Sequence, residues 1–172
     1  NLEQAQWYYD SYASLDFRDG LARFNDDSQM DAVGSESSIC DSNGNLLFYT
    51  DGRRIWNAQH ESLNSILADQ VEDRNTIILK FTETKYAIIS ICGESGILYK
   101  CIISVDTISN TIEASNWSAL SLGNDWTGLS VLSAVPTTEP NKYWLLTTKK
   151  NANEYNEYSY NRCVAKLSFN NN

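Results

Sequence analysis

Short apolar runs separated by turn dipeptides dominate the chain, and they predict β-hairpins in series. The clearest is Ser37 to Thr50, where Asn43-Gly44 separates Ser37-Ser38-Ile39-Cys40 from Leu46-Leu47-Phe48-Tyr49-Thr50. Asn-Gly is the dipeptide best suited to a type I′ turn, because both central residues of that turn need positive φ. A second turn is expected at Asp51-Gly52, followed by a short strand at Arg54-Ile55-Trp56. Three strands then fit into about 20 residues with no helix between them. The device recurs. The β-branched run Lys85 to Ile91 turns through Gly93-Glu94-Ser95-Gly96 and returns over Ile97 to Val105; Asp106 to Asn110 then leads into Thr111-Ile112-Glu113. A third unit runs from Leu129 to Val135, turns through Pro136 to Asn141 and continues as Lys142 to Thr148. Lys149 to Glu157 reads as a polar loop, and Arg162 to Phe169 as a closing strand. The units repeat at irregular intervals of ~40 to ~57 residues, about the range of propeller blades. One segment departs from this pattern. Leu63, Ile66, Leu67 and Val71 fall at helical spacing, yet Asp69, Glu72 and Asp73 sit badly against a helix C-terminus. A short helix and an irregular loop are both open for His60 to Val71.

The composition supports one packed domain over residues 1 to 172, with 42% hydrophobic and 20% charged residues. The net charge of -9 repels nucleic acid, whose binding begins with Lys and Arg at phosphates, and disfavours anionic membranes for the same reason. Of the four cysteines, Cys92 and Cys101 are neighbours in one expected hairpin. With the turn centred at Ser95-Gly96, Cys92 faces Tyr99 and Ser90 faces Cys101, which leaves the two sulfur-bearing Cβ atoms on a diagonal ~7 Å apart. A disulfide needs roughly 3.5–4.5 Å, so free, buried thiols are expected. Zinc is not expected, since there is no Cys-x-x-Cys pair and His60 is the only histidine.

Trp7-Tyr8-Tyr9, Leu15-Asp16-Phe17, the run Asp41-Ser42-Asn43-Gly44-Asn45-Leu46-Leu47-Phe48-Tyr49-Thr50-Asp51-Gly52, and Trp56-Asn57 with His60 together form a pattern. It resembles the N-terminal propeller region of large exported surface proteins of gliding-type Bacteroidota, which carry a type B sorting domain for type IX secretion at their far C-terminus. The likeness covers about the first third of the chain and reduces to strand spacing after Asn75. It departs at Tyr9-Asp10, where the family reads Phe-Gly. The resemblance implies an all-β, WD40-like or YVTN-like propeller, export after signal-peptide cleavage, and residence outside the cell or on the outer-membrane surface. It also implies structural roles for Asn43, Gly44, Phe48, Asp51, Gly52, Trp56, Asn57 and His60. About three to four blades are expected; three cannot close a ring, and an open propeller leaves strand edges unpaired. The expectation is therefore an incomplete propeller: part of a longer exported protein, or one completed by another chain.

Candidate chemistry is sparse. His60 lacks a partner cluster and reads as a structural hydrogen-bonding residue in preference to a base or ligand. Asp26, Asp27, Asp31 and Glu36 lack a D-x-D-x-D-G calcium loop and read as solvated loop charges. Asp41 to Phe48 is similar to the Asp-box hairpin of sialidase-type propellers, with one residue too many before the glycine. Arg53, Arg54 and Asp51 are close in sequence, but adjacent strand residues point to opposite faces, so a glycosidase constellation is not expected. Neither a nucleophile elbow nor a phosphate loop is present. The expected function is a non-catalytic binding or scaffolding module without cofactor or metal, whose partner is a protein or glycan at the cell surface. Contact is assigned to loop aromatics: Trp126, Tyr155 and Tyr158. The alternatives are the propeller portion of a polysaccharide hydrolase and a structural subunit of a surface assembly.

Overall fold

The computed structural model describes residues 2–31, 35–67, 75–92, 96–109, 111–120, 129–152 and 158–168, with backbone alone at 129–131, 149–152 and 158–164. The described chain is all β, in four antiparallel sheets. The first is the meander β1 (Gln6–Tyr8), β2 (Ser14–Asp16) and β3 (Arg23–Asn25); the second is β4 (Ser37–Cys40), β5 (Leu46–Thr50) and β6 (Ile55–Asn57). The third runs β7 (Asn75–Lys80), β8 (Lys85–Cys92), β9 (Ile97–Asp106) and β10 (Thr111–Ala114), with β11 (Ser118–Ala119) also on β9. The fourth is β12 (Leu129–Pro136), β13 (Lys142–Ala152) and β14 (Tyr158–Ser168).

The sheets pack face to face in chain order, because alternate residues along a strand point to opposite faces. Tyr8, Met30, Tyr49 and Trp56 fill the space between the first two sheets. Ile39, Phe48 and Ile55 meet Tyr86, Ile88, Cys101 and Ile103 between the second and third. Ala87, Ile89, Ile91 and Leu98 meet Leu132, Leu145 and Leu167 between the third and fourth. The third sheet is thus covered on both sides. This explains why β8 carries a continuous apolar run instead of an alternating one. The first strands lie side by side: β1 against β4, β4 against β7, and β7 against β12. Lys80, at the end of β7, gathers this edge: its ammonium donates to Glu3 Oε1 at 2.6 Å and its carbonyl accepts from the Tyr143 hydroxyl.

Several sequence expectations are corrected here. The first sheet is a complete meander within residues 6–25 that the turn pattern did not mark, and it brings the described sheets to four, the upper figure of the three to four expected. The β8–β9 register pairs Cys92 with Ile97, Ser90 with Tyr99 and Ile88 with Cys101, two residues from the expected pairing. A shift of two keeps every side chain on its face, and Cys40, Cys92 and Cys101 are free and buried. The turn at Asp41 to Asn45 is not type I′. Gly44 alone is left-handed (φ 85°), and the Asp41 carboxylate accepts from the amides of Asn43 (2.8 Å) and Asn45 (2.9 Å). Of the two readings left open for His60 to Val71, the described part, 60–67, takes the non-helical one. Residues 61–67 run back along β6 through Asn57 N–H to Glu61 O, Leu63 N–H to Ile55 O and Leu67 N–H to Arg53 O. Finally, Lys149 to Ala152, expected in a polar loop, are strand, paired with Asn161 to Tyr158; the rest of that expected loop lies outside the described residues.

Candidate functional site

One five-residue turn occurs twice in the second sheet. Asp41 N–H bonds to Asn45 O and Gly44 N–H to Asp41 O; in the same way Asn57 N–H bonds to Glu61 O and His60 N–H to Asn57 O. Asn57 Oδ1 accepts from the amides of Gln59 and Glu61, at 2.9 Å each, as the Asp41 carboxylate does in the first copy. The position held by Gly44 in one turn is held by His60 in the other, with φ 63°. A side chain there costs of order 1–3 kcal/mol of local strain.

His60 is anchored in return. Its Nδ1 lies 3.2 Å from the Tyr49 hydroxyl, and its ring leans on Tyr8 and Tyr49 at 5.8 Å. Tyr8 stacks on Tyr49 (4.5 Å), Tyr49 stacks on Trp56 (5.3 Å), and the Arg54 guanidinium lies 5.0 Å over Trp56. Burial pushes the Tyr49 hydroxyl up to about 12, helped by the charge of Asp27, although it accepts the Gln29 N–H at 3.1 Å. Burial raises Tyr8 further still, again with Asp27 contributing. The Asp27 carboxylate accepts from Ser14 Oγ at 2.6 Å and lies 3.9 Å from His60 Nε2.

The β1–β2 turn reaches the same rim. Ser11 (φ 58°) and Tyr12 (φ 63°) are both left-handed, with Ala13 N–H bonded to Asp10 O and Tyr12 N–H to Met30 O. This is the mirror-image turn expected at Asn43-Gly44, found where neither residue favours it. Three of the five described non-glycine residues with positive φ therefore belong to this rim. Tyr12 is 50% exposed, and Asp27 and His60 are part-exposed. At another edge, a cleft of about 220 Å³ opens between Trp7 and Tyr9 on one side and Glu36, Ser37 and Ser38 on the other.

The residues expected to be structural are placed as follows. Asn43 and Gly44 form the first turn, and Asn57 and His60 the second. Phe48 is fully buried edge-on to Tyr86 (5.6 Å). Trp56 ends the ring stack. Asp51 and Gly52 (φ 79°) make the β5–β6 turn; the buried Asp51 accepts from the amides of Arg53 (2.8 Å) and Arg54 (2.6 Å) and from Arg54 Nε (3.0 Å). Both carboxylate oxygens of Asp51 are thus engaged within its own turn. Trp126 and Tyr155 lie outside the described residues, and Tyr158 begins β14, paired with Ala152. Among the described residues no three His, Cys, Asp or Glu side chains gather into a metal-binding group, and no helix is long and apolar enough to cross a membrane. The rim of Ser11, Tyr12, Asp27 and Tyr49 escaped the sequence reading. The repeated Asx-x-x-x-Asn/Glu spacing was visible and marks His60 as a residue in a glycine's place.

No family model, no curated protein and no solved structure matches the chain.

Proposed function

We propose that this chain is a non-catalytic, propeller-type binding or scaffolding module of an exported surface protein, and that its contact surface is the strained rim of the first two sheets. The observation that supports the propeller reading best is the convergence at Lys80. An ion pair to Glu3 of the first sheet's leading segment and a hydrogen bond from Tyr143 of the fourth sheet meet at the end of β7. Glu3 precedes β1, and its carbonyl accepts from the Cys40 N–H of β4, so the leading segment, β4 and β7 converge on one edge. Meanders fanned around a line bring their first strands together, as blades do. The resemblance in the first third of the chain supports export.

The rim carries the binding reading because non-glycine residues in left-handed conformations persist only where the surroundings hold them, and they cluster at sites of contact. Tyr12 offers a rigid, exposed aromatic ring, and the Asp27–His60 pair adds polar groups to the same rim. Such a set suits a protein or glycan at the cell surface.

The test uses purified surface polysaccharide and surface-protein fractions passed over the immobilised chain. Retention of a component, weakened about tenfold or more by Tyr12→Ala at unchanged melting temperature, supports the reading; a tenfold loss is about 1.4 kcal/mol. Release of reducing ends from the polysaccharide, abolished by Asp51→Asn in a folded variant, would replace it with a hydrolase.

A further inference from the structure

Each end of the series of sheets presents an apolar face. On the first sheet, Trp7, Leu15 and Phe24 sit opposite one another across β1, β2 and β3. They form the face turned away from Tyr8 and the second sheet, with Trp7 44% and Phe24 69% exposed. Phe17 packs on Trp7 at 5.1 Å and extends the same patch. On the fourth sheet, Val135 pairs with Trp144, and Leu146 lies two residues on. All three point away from Leu132 and Leu145, which face the third sheet, and Trp144 is 44% exposed. Lys166 lies 5.7 Å over the Trp144 ring. Each internal junction of the molecule is made by packing one such face on the next, so both outer faces have the form of half a junction.

The two ends also differ in charge. Residues 1–31 hold seven Asp or Glu against two Arg, whereas residues 129–168 hold five Lys or Arg against three Glu. Within a chain of net charge -9 the fourth-sheet segment has a basic surplus and the first-sheet segment an acidic one. Like ends repel and unlike ends attract.

We propose that the first sheet of one copy packs on the fourth sheet of a second copy, and the reverse, so that two chains close an eight-sheet ring. The proposal rests on the propeller reading. Eight lies within the 4–8 blades of closed propellers, and a two-fold pair is the commonest closed assembly. Both apolar faces are then covered by the same kind of junction that joins the sheets within one chain. A second copy is preferred to an unrelated partner because one interface, used twice, accounts for both faces and for their opposite charge.

Light scattering after size exclusion, from low micromolar to near-millimolar chain, tests it, with Phe24→Asp on the first face and Trp144→Asp on the fourth. The wild type is expected at twice the mass of 19.4 kDa, with the dimer fraction falling as salt rises. Either variant alone, native by circular dichroism, is expected as a monomer, because each loses both junctions. Mixing the two variants restores a dimer, since one junction between unaltered faces remains. A wild-type monomer throughout overturns the proposal. So does a variant that still dimerises, which marks a like-to-like contact, or a mixture that stays monomeric. The propeller reading fails separately: small-angle scattering of the monomeric variants would then show an elongated stack in place of a wedge.

Discussion

The first and third sheets are built from opposite materials. The third is buried on both faces, with Ile88, Cys101 and Ile103 on one side and Ala87, Ile89 and Ile91 on the other, aliphatic or small apart from Tyr86 at one end of β8. The first is covered on one face by a ring stack and a chain of polar contacts, and its other face carries Trp7 and Phe24 in the open. Three left-handed residues crowd the rim where it meets the second sheet. The difference separates what holds the fold from what is available to a partner. Close-packed aliphatic sheets give stability, and the strained aromatic rim takes its shape from the sheets behind it.

The largest effect is expected at the middle. Ile89→Ala removes a fully buried side chain from the junction of the third and fourth sheets and should cost about 2–5 kcal/mol, read from the urea midpoint. If Tyr12→Ala costs as much, the contrast fails. Lys80→Ala comes next. It leaves Glu3 without its ammonium partner on a half-buried edge, and a charged hydrogen bond of this kind contributes about 1.5–3 kcal/mol. The loss should appear with Glu3→Gln as well and should not add to it in the double variant. Gly44→Ala is smaller, about 1–2 kcal/mol, the cost of a left-handed Cβ. That Cβ would also lie 3.2 Å from Arg18 and 3.3 Å from Leu2, so the damage should concentrate where the first sheet meets the turn.

His60→Gly sharpens the comparison. Glycine relieves the positive φ, while the Tyr49 contact is lost, so the melting temperature should move little even though partner binding falls. In Asn57→Ala the whole turn loses its side-chain acceptor, and stability should fall by about 1 kcal/mol. The last test is alkaline, and it leaves stability near neutral pH untouched. Tyr49 holds its proton in the folded chain up to about 12, whereas an unfolded tyrosine releases it near 10. The unfolded state therefore binds fewer protons across that window, and stability is full below pH 10 and declines as pH rises towards 12. Tyr49→Phe should flatten that decline in a urea titration.

The fold was legible where turn chemistry and apolar runs coincide. The second sheet follows from Asn43-Gly44 and Asp51-Gly52, and the third from Lys85 to Val105. The first sheet was hidden because its strands are three residues long and its turn uses Ser11-Tyr12, which neither glycine nor asparagine announces. The His60 to Leu67 segment kept helical spacing by coincidence. Leu63 and Leu67 are held by β6 and Arg53 through backbone bonds that no periodicity reveals. The β8–β9 register was missed by two because the turn residues leave more than one pairing with the same faces. As for the rim, the identity of His60 drew notice, but its meaning depends on Tyr49, Tyr8 and Asp27, which only the packing of two sheets brings within reach.

Amide hydrogen exchange, followed residue by residue, tests the division between scaffold and rim most directly. The amides of β8 and β9 should exchange only through global unfolding, while those of β1, β2 and the 57–61 turn open by smaller, independent excursions. Equal protection of the first and third sheets, or a third sheet that opens before the first, would contradict it.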